Sequence, residues 1–173
     1  MRYLALGLLA AFLVGCYETP VPLGRPDEAK MDRAFVGNWH GGDETLIIRN
    51  LDDRQYYVEY SDERAKPGEK TVRMVGELYA IGNARFAQLR QLPEDGSIAK
   101  EHLIVRIFWK DGQLGLQQLK EDFFKSQEVG TTKQLRSVLE SNINNRDMYD
   151  GEPVLFSRVT PKEPSTATSG PAQ

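Results

Sequence analysis

The sequence predicts a mainly β protein whose antiparallel strands form a barrel or a sandwich, with one amphipathic helix before the last strand. Three observations carry this. Apolar and polar residues alternate with a period of two over most of positions 44–119. Turn dipeptides separate the alternating runs, and the period breaks only between about 120 and 147.

A first strand is expected at 44–50. Over 54–61, Tyr56, Val58 and Tyr60 share one face, with Gln55, Tyr57 and Glu59 on the other. Over 70–81, Val72, Met74, Gly76, Leu78 and Ala80 lie opposite Arg73, Val75, Glu77 and Tyr79. A strand at 85–92 follows, and over 100–109 Leu103, Val105, Ile107 and Trp109 alternate with His102, Ile104, Arg106 and Phe108. Strands at 113–119 and 153–159 complete the set. The separating turns are Asp52-Asp53, Pro67-Gly68, Gly82-Asn83, Asp95-Gly96 and Asp111-Gly112. The last is the strongest hairpin signal, because Asp-Gly suits the type I′ turn between twisted strands. Hairpin connections at even spacing favour antiparallel pairing over a parallel α/β sheet. In the interruption, Lys120 to Lys125 suits a short helical turn that presents Phe123 or Phe124 to the sheet. Thr131 and Gln134 have capping-box spacing, and Leu135, Val138, Leu139 and Ile143 then form one apolar stripe that covers the sheet.

The chain has 173 residues, 22 basic and 25 acidic, with 40% hydrophobic residues and one cysteine. A net charge of −3 and a pI near 5.5 argue against a nucleic-acid partner. A lone cysteine excludes an internal disulfide, and with two histidines it leaves little material for a zinc site. Residues 1–15 read as a signal peptide: Met1-Arg2 is a positive start, and Tyr3 to Val14 is an apolar run too short to span a bilayer. Residues 16–31 hold three prolines and a glycine without periodicity and read as a flexible tether. Residues 32–160 form the expected domain. Residues 161–173, rich in Pro, Ser and Thr, read as a disordered tail.

Leu13-Val14-Gly15-Cys16 resembles the lipobox of bacterial lipoproteins. The resemblance implies cleavage before Cys16, a diacylglycerol on its thiol and acylation of its new amino terminus. It thereby implies membrane attachment in the cell envelope. Tyr17 stands where lipoproteins retained in the inner membrane often carry Asp, so the same resemblance favours the outer membrane, facing the periplasm, if the source has two. Two or more acyl chains anchor stably where one does so only marginally.

Gly37-x-Trp39 resembles the G-x-W signature of lipocalins and the wider calycin group. That resemblance implies an eight-stranded up-and-down barrel in which Trp39 closes one end and a basic residue of the last strand stacks on it. Arg158, in Phe156-Ser157-Arg158-Val159, stands where that partner falls. The second lipocalin signature, Thr-Asp-Tyr, is not evident, and the chain is closer to small lipocalin-like envelope lipoproteins than to a ligand carrier.

Signals of catalysis are weak, and no enzyme, cofactor or metal is expected. There is no nucleophile elbow, metalloprotease pair or phosphate-binding loop. His40, followed by Asp43 and Glu44, has the residue types of an acid/base pair but reads as a rim histidine. His102 reads as exposed on a strand. Two functions follow. The first is a non-catalytic structural or protein-interaction module, with Tyr57, Tyr79 and Phe108 as outward contacts. The alternative is a binding module whose interior, lined by Tyr56, Val58, Met74, Leu78 and Trp109, holds a small apolar ligand. Large side chains meeting across the axis, with no cavity above about 300 Å3, would defeat this alternative.

Overall fold

Period-two alternation becomes nine strands in the computed structural model, which describes residues 17–66 and 71–160. They are β1 (Glu18–Thr19), β2 (Gly37–Gly41), β3 (Glu44–Asn50), β4 (Gln55–Asp62), β5 (Thr71–Ile81), β6 (Ala84–Gln91), β7 (His102–Lys110), β8 (Gln113–Gln118) and β9 (Val154–Arg158). Strands β2 to β7 pair in sequence order, β7 pairs with β8, β8 with β9, and β9 with β2. Every pair is antiparallel. The chain therefore forms a closed eight-stranded up-and-down barrel, and closure removes the edges that an open sheet would expose. The two-residue β1 adds to β7 beyond the end of β8.

Two helices, α1 (Glu121–Lys125) and α2 (Thr132–Asn142), lie between β8 and β9. Thr131 caps α2 by accepting the Gln134 N–H, while Gln134 Oε1 accepts the Thr131 hydroxyl and the Gly130 N–H. Leu135 and Leu139 are fully buried and Val138 partly so, as the stripe requires. Phe124, rather than Phe123, is the buried aromatic of α1. At Asp111-Gly112 both residues take positive φ, 51° and 78°, which is the type I′ geometry.

Residues 37–41 are themselves a strand, where the sequence showed only a motif ahead of the first strand. Five residues bounded by glycines are too short to display alternation. The segment 17–31 is also not a tether. It straps the outside of the barrel, with Tyr17, Leu23 and Ala29 buried. The Tyr17 N–H bonds Leu119 O, the Leu23 N–H bonds Gln88 Oε1 at 2.6 Å, and the Lys30 N–H bonds Leu78 O. Together with α1 and α2 the strap buries the outer faces of β5, β6 and β7, including Tyr79, Phe86 and Ile104. Tyr79, expected as an outward contact, is 1% exposed for this reason. The leader, Cys16 and the tail 161–173 lie outside the described residues, as does the expected Pro67-Gly68 turn.

The chain thus has two cores, one inside the barrel around Leu46, Ile48, Tyr56, Val58 and Phe156, and one outside it beneath the strap and helices. If the strap is integral, Leu23→Ala destabilises the protein by about 3 kcal/mol, the usual cost of truncating a buried leucine. Urea unfolding measures this, and a flexible tether would show no change.

Candidate functional site

The two ends of the barrel differ. At one end Trp39 is buried and its indole N–H donates to Phe35 O at 2.9 Å. The Arg158 guanidinium lies 4.3 Å from the centre of the Trp39 ring and donates to Val36 O and Ala34 O at 2.9 and 2.7 Å. A Cβ on Gly37 would come within 2.6 Å of Arg158 Nη1, so the close approach needs glycine there. The strap ends in a 310 turn, Arg33–Phe35, that carries Phe35 under the barrel as a plug. Asp32 fixes the turn. It pairs with Arg85, and its N–H donates to the Tyr56 hydroxyl, each at 2.6 Å.

Trp109 has the inward parity expected of it but does not line the interior. It sits past the plug near the end of β7, 40% exposed, with its ring stacked on Phe35 at 5.4 Å. Parity assigned its face, and its position in the strand took it below the floor.

Above the plug lie two apolar voids, of about 50 and 100 Å3. The lower is bounded by Phe35, Ile48, Tyr56, Leu78 and Ile107, and the upper by Tyr60, Val72, Met74, Leu103 and Val154. Leu46, Val58, Leu89, Val105 and Leu116 border both, so the two are neighbours along the barrel. Tyr56, Val58, Met74 and Leu78 therefore line the space as the alternation placed them. Leu46, Ile48, Leu89 and Leu116 carried the same signal in neighbouring strands. Neither void reaches about 300 Å3, which counts against the interior as a container for a small ligand. The upper void lies at the second end of the barrel, where Tyr60, Val72, Leu103 and Val154 are only half-buried. This end is the mouth.

Charge gathers at the mouth. Cross-strand pairing sets Glu44 opposite Asp62, and Arg64 joins them, 3.1 Å from a carboxylate oxygen of each and 3.7 Å from Asp43. Burial raises the Glu44 carboxyl above the usual range, with Arg64 opposing. The hydrogen bond from Arg64 holds Asp62 below it. Burial also raises the Tyr60 phenol beside them, and the Glu44 and Asp62 charges add to this. The acidic pairs elsewhere are structural. Asp52 caps a turn by accepting the Arg54 and Gln55 N–H groups, and Glu121 and Asp122 pair with Lys125 in α1.

The expected partners of His40 are not assembled. His40 is exposed on β2 opposite Thr45, while Glu44 is buried in the mouth cluster. His102 is a correction, because it is 8% exposed beneath the strap rather than open on a strand. It lies opposite Thr19, and its Nδ1 has no hydrogen-bond partner among the described residues. Near it, Glu77 is buried and accepts from Gln88, Tyr79 and Gln55, with Arg90 at 3.6 Å. Among the described residues no group of three or more His, Cys, Asp or Glu side chains is placed to hold a metal, and no helix is long and apolar enough to cross a membrane.

Burial, followed by the Arg90 charge, pushes the His102 imidazole below its ordinary value, with Glu77 and Glu101 opposing. A base depressed in the folded state favours folding when neutral. Its contribution is therefore full above about pH 6.5, the unfolded value, and is lost as pH falls through that point. Urea midpoints of the wild type should drop between pH 7 and pH 5 more than those of His102→Gln, and equal drops would remove His102 as the cause.

The closed barrel, plugged at one end and apolar within, defines the class of protein. Comparison with protein-family models, with curated proteins and with solved structures gives no match.

Proposed function

We propose that the protein is a lipid-anchored, non-catalytic barrel of the cell envelope whose interior takes one slender apolar chain. The observation that supports this is the pair of adjacent apolar voids, the upper at the mouth and the lower above Phe35. Protein cores leave few spaces larger than a water molecule. Lying at the mouth, the upper void leaves apolar side chains only half-buried. A chain of methylenes entering it would recover about 0.8 kcal/mol for each group buried. The volumes of the two voids suit a few methylenes of a slender chain better than a drug-sized molecule. The anchor rests on the lipobox-like Leu13-Val14-Gly15-Cys16.

A reading as a protein-interaction module keeps some support from Trp109, whose exposed ring lies at the plugged end. It loses Tyr79, which the outer core has absorbed.

Two experiments test the proposal. Titration with 1-decanol, followed by methyl NMR, should shift the signals of Val58, Leu89 and Val105, whereas bulky 1-adamantanol should not. Leu116→Trp, which fills the upper void, should abolish the decanol shifts, and a wild type blind to saturating decanol would sink the reading. Separately, Cys16→Ser should move the protein from the membrane to the soluble fraction. Unchanged fractionation would refute the anchor.

A further inference from the structure

The register at the mouth places the anchor. Val105 of β7 faces Gln118, the last residue of β8, and beyond it β7 faces β1 instead, with Leu103 opposite Glu18 and His102 opposite Thr19. Strand β1 therefore continues the barrel wall where β8 leaves it. Leu103 and Gln118 both border the upper void, so the start of the strap pairs with the wall beside that void.

No slack follows Cys16. Tyr17 is 8% exposed, its N–H bonds Leu119 O, and its ring stacks on Phe124 at 4.0 Å. One residue spans at most about 3.6 Å, so acyl chains on Cys16 would leave the fold within a few ångströms of a fixed point on the mouth side. The plugged end stands off by the length of a strand. The eight residues of β4, at about 3.3 Å each and tilted as barrel strands are, place Trp109 and the Asp52-Asp53 turn roughly 20 Å farther away.

The rim is acidic on balance, its segments 18, 43–44, 62–66 and 94–101 holding eight carboxylates against Arg64, Lys66 and Lys100. Such a surface attracts cationic groups and repels anionic ones across about a Debye length, roughly 8 Å in physiological salt.

We propose that the barrel rests mouth-down on the bilayer that holds its Cys16 anchor, and that its interior takes an acyl chain of an ammonium-bearing lipid directly from that bilayer. The proposal rests on the anchored, chain-binding reading above. It adds an orientation, a source and a headgroup class. Residue 17 locked at the rim fixes the orientation, and the void opening on the same side makes the bilayer the source. The rim carboxylates favour a zwitterionic phosphatidylethanolamine over phosphatidylglycerol.

The test uses the acylated full-length protein in vesicles. Its Cys16 thiol is consumed by lipid, so an introduced cysteine is the one free thiol. Thr71→Cys labels the mouth and Asp53→Cys the plugged end, each carrying a polarity-sensitive fluorophore, with a spin-labelled lipid as quencher. In phosphatidylethanolamine-rich vesicles the mouth label should be quenched at least threefold more than the other. Replacing half of the lipid by phosphatidylglycerol should reduce that difference. Equal quenching, or stronger quenching at position 53, overturns the orientation while leaving the anchor intact. Uptake of pyrene-labelled phosphatidylethanolamine should be lost in Leu116→Trp with the mouth label still quenched, whereas uptake preserved in that variant overturns the interior as the acceptor. Protein recovered without acyl chains refutes the anchor and the proposal together.

Discussion

One cation ties the closing strand of the barrel to its floor. Arg158 lies on the Trp39 ring and reaches past it to two carbonyls of the segment that carries the plug. A cation over an indole contributes about 0.5–2 kcal/mol, and hydrogen bonds from a charged donor about 1.5–3 kcal/mol each. The arrangement joins the last strand, the first barrel strand and the turn that lifts Phe35 into the floor. Gly37 leaves the space in which the guanidinium sits. Because this end is sealed by Phe35 and the contacts that hold it, the other is the mouth.

Stability and hollowness occupy different places. The outer core is solid, with Leu23, Leu119, Leu135, Leu139 and Met148 all at 0% exposure. The inner core loosens toward the mouth, where Val72, Leu103, Leu116 and Val154 are only half-buried. A strap and two helices packed outside the wall let the barrel keep free space within. Burying an apolar side chain fully contributes about 1.5–3 kcal/mol, so those five residues stabilise the fold from outside the wall.

Most of the barrel was legible in the sequence because alternation survives wherever one face of a strand is buried and the other is not. Residues Tyr56, Val58, Met74 and Leu78 were found on that ground. Trp109 and Tyr79 were misplaced because parity states a face and is silent on depth and on cover. The strap left no pattern to read. A segment laid on a finished surface needs only occasional apolar contacts, here Tyr17, Leu23 and Ala29, and its prolines resemble those of a linker. The Glu44–Arg64–Asp62 cluster was hidden for another reason. Its members meet through the register of β3 on β4, which a hairpin sets and composition does not reveal.

The pairing that closes the ring has a consequence for the order of assembly. Trp39 pairs with Arg158, so the first barrel strand waits for nearly the whole domain before it gains its second neighbour. Loop closure of that length is slow, and folds dominated by such distant pairings assemble in milliseconds to seconds rather than microseconds. Until β9 arrives, β2 presents an unpaired edge and the plug has no carbonyl clamp. The barrel is therefore a late event in the life of the chain, and its apolar interior comes into being only when the last strand closes it.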